Sequence, residues 1–248
     1  MESYSGSSDR IRADAQFTTT HWTVVLAAKG VPAERQAAAL EQLCRTYWYP
    51  LYSYIRRRGN GPEDAQDLTQ EFFARLLEKQ WLENVEKNGS RFRSFLLTAL
   101  NGFLANQHDR AQAAKRGGGQ PIISLDAVEA ERRYLQEPAT SAPEQIFDRR
   151  WALTVLEQAF ARLKEETLAT GKARQFEVLN PFLSHEPEAG EYVAAAAKLQ
   201  SSAGTVGVLV HRLRARYRDL VRAGIAETLA EPSQLDAEMA ELFAALRG

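Results

Sequence analysis

The sequence predicts an all-α fold in which two helical domains are joined by a linker. Apolar residues recur at helical spacing in most long segments, strand-like patterns are scarce, and glycine- and proline-rich breaks separate the segments. With 248 residues, the chain has room for one large domain or two small ones. We expect an N-terminal domain of three or four helices at 17–116, a linker at 117–142, a C-terminal domain at 143–225 and an amphipathic tail helix at 226–248.

Three helices are predicted in the N-terminal domain. The first covers 34–58 and contains Pro50, which is expected to kink or interrupt it. A Gly-Asn-Gly-Pro turn follows, and the second helix begins at Pro62 with acidic residues in its first turn. The third helix covers 91–110, and its phenylalanines are assigned mainly to packing.

The C-terminal half begins after a breaker run, KRGGGQP, at 115–121. A short helix is expected around 126–136 within the linker. A capping box starting at Ser141 predicts the start of a long helix, and another helix is expected at 172–183. The tail helix is expected to be capped at Ser233 and to pack back on the C-terminal domain, where it would mask or position the helix described next.

The segment at 198–222 predicts a helix end, a polar turn and a long helix with two kinds of face. Its apolar residues share one side at helical spacing: Val206, Val210, Leu213, Tyr217 and Leu220. Basic residues occupy the flanks, which is typical of a DNA-reading helix-turn-helix. The candidate DNA contacts are Ser202, Thr205, Val208, His211, Arg212, Arg214, Arg216 and Arg218.

The charge pattern indicates two different partners. The net charge of -1 argues against a simple nucleic-acid binder, for which a basic balance is expected. The charges are grouped, however, since 63–71 carries four acidic residues and no basic one, while three arginines stand at 56–58. One basic and one polyanionic partner would fit this pattern, and solvated helix faces are the alternative.

The sequence offers no catalytic constellation. It lacks the glycine-rich phosphate-binding motifs and the nucleophile elbow, and its four histidines form no ligand cluster. We therefore expect no enzyme activity, no cofactor and no metal site.

The same sequence predicts a cytoplasmic protein without membrane association. No apolar run approaches the roughly 20 residues that span a bilayer, and the polar N-terminus is unlike a signal peptide. The single cysteine, Cys44, indicates a reducing compartment and is expected to be a buried filler.

Several segments resemble a bacterial RNA polymerase sigma factor of the extracytoplasmic-function (ECF) type. They are LCRTYWYPLYSYIRRRGNGPEDAQDLTQEFFARLLEK, RFRSFLLTALNGFLANQHDRAQAAKRGG and the stretch from about 143 to 222, in the order expected for that family. The resemblance implies a factor that directs promoter recognition, promoter melting and transcription initiation, with core RNA polymerase and promoter DNA as partners. It also implies an anti-sigma factor as a further candidate partner.

The resemblance assigns roles to three groups of residues. The arginine-bearing helix would read the −35 element. The acidic helix would dock on polymerase through Asp64, Asp67, Gln70 and Glu71. The last three of these are expected to share a face opposite Leu68 and Phe72. The −10 element would be melted and held by Arg91, Arg93, Asn101, Asn106, Arg110, Lys115 and Arg116. In the free protein, we expect the linker to be flexible.

Three residues depart from the family pattern, and two other functions stay open. Gln200 occupies a turn position where relatives usually have glycine, Gly207 stands where many have lysine, and Asn101 stands where many have arginine. We therefore expect weak or unusual −35 binding. The alternatives are a helix-turn-helix regulator that binds duplex DNA without polymerase, and an all-helical scaffold.

Overall fold

The computed structural model describes residues 33–76, 92–113, 127–229 and 232–247. These residues form α-helices, two short 3₁₀ turns and connecting loops, without any strand among them. The prediction of an all-α fold is therefore confirmed. The helices are α1 (Ala33–Arg57), α2 (Pro62–Leu76), α3 (Phe92–Ala113), α4 (Ala127–Tyr134), α5 (Pro143–Ala169), α6 (Ala173–Leu179), α7 (Glu191–Leu199), α8 (Ala203–Ala226) and α9 (Leu235–Arg247).

Helix α5 is the central element, because α1, α8 and α9 all pack against it. Its buried residues recur at helical spacing from Ile146 to Leu163, which gives it an apolar stripe along most of its length. Phe147 contacts two rings of α1, with centroids 6.5 Å from Tyr47 and 6.5 Å from Tyr54. One apolar core therefore runs from α1 to α9. The domain limits given above stay a prediction.

Helix α1 continues through Pro50, so the expected interruption does not occur. Proline removes one backbone hydrogen bond and costs about 3 kcal/mol in a helix interior. The residues on either side of it offset that cost by packing, since Trp48 and Tyr52 are buried and stack on each other at 5.3 Å. Tertiary burial here outweighs the local preference.

The predicted short helix in the linker is confirmed as α4, which packs against α1 and α2. Ala130 is buried, and farther along the segment the nearly buried Glu137 carboxylate forms an ion pair with Arg150 of α5. The expectation of a flexible linker does not fit residues 127–142, because polar and apolar contacts join them to α1, α2 and α5. Residues 117–126 lie outside the described part of the chain.

The tail helix α9 packs on α5 and α8, as predicted. Met239 and Leu242 are its main buried residues. The expected capping of α5 by Ser141 is wrong, because the N-cap position is Ala142. The Ala142 N–H donates instead to the side-chain oxygen of Gln145 at 2.9 Å, which satisfies one of the free donors at the helix start.

Candidate functional site

An acidic cleft of about 690 Å³ lies between α2 and α3. Helix α2 begins at Pro62, and spacings of three and four residues then bring Asp64, Asp67 and Glu71 to the same face. Leu68 lies with them in the cleft, so the expectation that it faces the other way is wrong. Gln70 is half-buried and is not part of the cleft lining.

The charge of this cleft is only partly balanced. The Glu71 carboxylate is 2.5 Å from the guanidinium of Arg75, one helical turn later. Asp64 and Asp67 are exposed, and among the described residues they form no ion pair. The one cation lining the cleft, within the described ranges, is Arg58, which sequence reasoning left out of the site. The feature of the sequence that could have indicated Arg58 is the run of three arginines directly before the turn.

The opposite wall of the cleft comes from α3 and includes Asn101. The Asn101 side-chain oxygen accepts a hydrogen bond from the Tyr54 hydroxyl at 2.9 Å and another from Arg58 at 3.1 Å. Asn101 and Asn106 are both exposed on α3. The structure thus brings a predicted −10 contact and the predicted polymerase contacts to one cleft.

The remaining predicted −10 residues are distributed differently. Three of them lie outside the residues that the structure describes: Arg91, Lys115 and Arg116. The backbone of Arg110 belongs to α3, but its side chain is not among those described. Arg93 is described, and its side chain is only 6% exposed.

The phenylalanines of α3 belong mainly to the core, as predicted. Phe92 and Phe103 are buried, and Phe95 packs against the core with its ring 6.4 Å from that of Phe92. Aromatic stacking on an unpaired base would require an exposed ring face. The polar and charged residues of α3 are therefore the better candidates for contact with DNA.

The Arg93 guanidinium is held by carboxylates from two other helices. It is 2.7 Å from Asp148 of α5 and 3.4 Å from Glu238 of α9, and it also bonds to Glu241 of α9. It lies 4.2 Å above the ring of Trp151. Burial raises the pKa of Asp148, and the positive charge of Arg93 opposes that shift. In this arrangement Arg93 faces protein carboxylates.

Helices α7 and α8 are joined by a short turn and cross at 95°. Gln200 adopts the left-handed conformation there, with φ 52° and ψ 47°, so the turn does require the positive φ that glycine usually supplies. The Ser202 hydroxyl caps α8 by accepting from the backbone N–H of Thr205 at 3.1 Å. The crossing angle and the short turn fall within the range of helix-turn-helix pairs.

The length and apolar character of the helices also bear on whether any of them could cross a membrane. Within the described residues, no single helix is long and apolar enough to cross a bilayer; α7 and α8 meet the criterion only as a bent pair.

The first two turns of α8 present an exposed face next to a close helix contact. Thr205, Val208 and His211 are exposed, and Val208 is 51% accessible. Gly207 lies against α7, where a Cβ atom at this position would be 3.5 Å from the ring of Tyr192. The apolar side of α8 is the predicted one, since Val206, Val210 and Leu220 are buried, while Leu213 and Tyr217 are partly buried.

The four α8 arginines that were predicted to contact DNA fall into two groups. Arg214 donates to the backbone carbonyls of Phe182 at 2.8 Å and His185 at 2.7 Å, which fixes the loop before α7. Arg216 forms a two-pronged pair with Glu166 of α5, at 2.8 and 2.7 Å, and this contact lowers the pKa of the Glu166 carboxyl.

The second group consists of Arg212 and Arg218. Both are exposed, and neither forms an ion pair with any residue that the structure describes. They remain open to a polyanion.

Comparison with known proteins gives one family. The model of the family described as sigma-70 region 2 matches residues 43–113, which include most of α1 and all of α2 and α3, and therefore the acidic cleft. No curated protein and no solved structure matches the chain. The chain thus contains a sigma-70 region 2 domain, which in sigma factors binds core RNA polymerase and promoter DNA and acts in promoter recognition and melting.

Proposed function

We propose that this chain is an RNA polymerase sigma factor of the ECF type, which binds core polymerase in the cytoplasm and directs it to promoters. The observation that carries this proposal is the position of Asp64 and Asp67, exposed in a cleft within the matched region 2 domain. The chain itself catalyses no reaction, because bond formation belongs to the polymerase. An anti-sigma factor stays a predicted partner.

The acidic cleft supports docking on polymerase. Its volume of about 690 Å³ suits side chains of a protein partner, and its carboxylates suit a basic surface. Complementary charge across an interface speeds association and fixes its register. Phosphates would be repelled by Asp64 and Asp67, so the same cleft disfavours DNA as the occupant.

The outer surface of α3 supports contact with the −10 element. Asn101 and Asn106 are exposed, and the Asn106 amide can both donate to and accept from base edges. The Asn101 amide offers its N–H donors, since its oxygen already accepts from Tyr54 and Arg58. Arg91, Arg110, Lys115 and Arg116 are proposed as phosphate contacts from the sequence alone. Since Asn101 lines the acidic cleft, the −10 strand and polymerase would meet along one side of region 2.

The start of α8 supports contact with the −35 element. Thr205 and Val208 are exposed near the helix N-terminus, which is the part of a recognition helix that enters the major groove. Arg212 and Arg218 are proposed to bind phosphates. Arg214 and Arg216, which were also predicted as DNA contacts, are proposed to support α8 through their bonds within the protein.

Reconstitution with core polymerase tests the proposal. The full chain is mixed with core enzyme and assayed by pull-down and by run-off transcription on genomic promoter fragments. A sigma factor gives a stable complex and defined transcripts. A regulator that works without polymerase would instead shift duplex DNA alone, and a scaffold would do neither; both results contradict the proposal.

A further inference from the structure

Arg93 lies at the start of α3, inside region 2, yet its ionic partners come from the C-terminal half of the chain. Asp148 belongs to α5, and Glu238 and Glu241 belong to α9. One guanidinium therefore faces three carboxylates, all contributed by helices outside region 2.

The contact between Arg93 and α9 differs from the apolar packing elsewhere in the core. A cavity of about 330 Å³ adjoins it and is lined by Arg93, Asp148, Arg149 and Glu241, among others. The Glu241 side chain is 44% exposed, so water reaches the edge of the ion pair. A polar, incompletely filled and partly hydrated contact can open at lower cost than a close-packed apolar one.

Carboxylates and phosphates compete for the same donors of an arginine. A guanidinium presents a planar set of N–H groups that binds either anion in the same forked geometry. While Glu238 and Glu241 occupy Arg93, a DNA phosphate has no access to these donors.

We propose that α9 is an intramolecular competitor of promoter DNA, whose carboxylates occupy Arg93 and keep it from the −10 strand until α9 is displaced. This inference rests on the proposed function, because it takes the strand bound by region 2 as the competing anion. The ion pair between Arg222 and Asp236 joins α9 to α8 as well, so one helix contacts both Arg93 and the arginine-bearing helix. Displacing α9 would free the Nε and Nη2 donors of Arg93, which Glu238 and Glu241 hold, and would at the same time alter the support of the arginine-bearing helix.

The test compares full-length variants for binding to a fluorescent single-stranded oligonucleotide. Glu238→Gln/Glu241→Gln removes both competing charges while keeping side-chain size. We expect binding to tighten at least about fivefold. The dependence of log affinity on log salt should steepen by about 0.7, the value for one added phosphate contact on a single strand. Adding Arg93→Ala to the double variant should abolish both gains.

Asp236→Asn is the matched control, because it neutralises an acid on the same helix whose ion pair is with Arg222, whereas Arg93 pairs with Glu238 and Glu241. It should leave the oligonucleotide affinity within about twofold of the parent. Since Glu238 is buried, thermal unfolding checks each variant, and Glu241→Gln alone, at a partly exposed position, is the second variant should the double one fail to fold.

Unchanged affinity in folded Glu241→Gln and in the double variant would overturn the proposal. So would an equal gain in Asp236→Asn, which would point to nonspecific charge. Core polymerase binding by the parent chain, measured in parallel, separates the outcomes. If polymerase binds and the affinities do not change, the competitor role fails while the sigma function stands; if polymerase does not bind, the function itself fails.

Discussion

Arg56 and Glu131 form a two-pronged ion pair, with Nε donating to one carboxylate oxygen at 2.8 Å and Nη2 donating to the other at 2.7 Å. The pair joins α1, within region 2, to α4, in the segment predicted as a linker. The Tyr52 hydroxyl donates to the same carboxylate at 2.6 Å, and Arg56 lies 4.7 Å above the Tyr134 ring. This half-buried cluster fixes α4 on region 2.

Removing the charge of Glu131 should weaken that docking. We expect Glu131→Gln to lower the free energy of unfolding by about 1.5–3 kcal/mol, the usual range for a hydrogen bond to a charged group. Urea unfolding measures it. Glu129→Gln on the same helix is the control, because Glu129 pairs with Arg132 and Arg133 at the surface and should give no measurable change. Equal effects of the two substitutions would contradict a special role for Glu131.

The same pair predicts a dependence of stability on pH. The hydrogen bonds from Arg56 lower the pKa of the Glu131 carboxyl below its ordinary value of 4.5. The stabilisation is therefore complete above the unfolded pKa and is lost as the pH falls through the lower, folded pKa. The difference in unfolding free energy between the parent and Glu131→Gln should be constant near neutral pH and shrink on acidification below about pH 4.5. A difference that grows on acidification would show that folding raises the pKa of Glu131 and does not lower it.

The turn between α7 and α8 should gain stability from glycine. Gln200 holds φ 52°, where a Cβ atom is unfavourable. We expect Gln200→Gly to raise the free energy of unfolding by about 0.5–1 kcal/mol. Gln200→Ala keeps the Cβ atom and should not reproduce the gain. Thermal unfolding of the three proteins decides, and a destabilised glycine variant would rule out strain at this position.

Gly207 should tolerate a side chain. An added Cβ would meet the Tyr192 ring at 3.5 Å, which is ordinary van der Waals contact, and alanine in a helix interior is favoured over glycine by about 1 kcal/mol. Gly207→Ala should therefore stabilise the protein, and Gly207→Lys should also tighten duplex binding and steepen its salt dependence. Gly190→Ala is the control with the opposite expected sign. Gly190 has φ 91°, so a Cβ atom there should destabilise the protein. A loss of stability in Gly207→Ala would show that α7 and α8 cannot accommodate the methyl group.

Substitutions of Arg212 and Arg214 should have different effects, one on DNA binding and the other on stability. We expect Arg214→Ala to lower the free energy of unfolding by about 1–3 kcal/mol, because two backbone carbonyls lose a charged donor. Arg212→Ala should leave stability unchanged, weaken duplex binding by the polymerase complex and reduce the salt slope by about one. Urea unfolding and binding titrations at several salt concentrations measure both. The reverse pattern would contradict the division of these arginines.

The helices and the core could largely be predicted from the sequence, because helical periodicity is a local property. Val206 and Val210 are buried as their spacing requires. The availability of each charged side chain could not be predicted. Arg216 pairs with a residue 50 positions away and Arg93 with one 148 positions away, and such pairs depend on how helices assemble. A basic residue on a helix flank therefore indicates a surface position without showing whether it is free.

Polymerase binding through the acidic cleft is the claim on which the account depends most. The direct measurement is the affinity of the full-length chain for purified core RNA polymerase, compared between Asp67→Lys and Glu63→Lys. Both reversals are at exposed positions on α2, but only Asp67 lines the cleft. We expect Asp67→Lys to weaken binding at least about tenfold and Glu63→Lys to change it little. Equal affinities for the parent and Asp67→Lys, or no binding by the parent chain, would contradict the account.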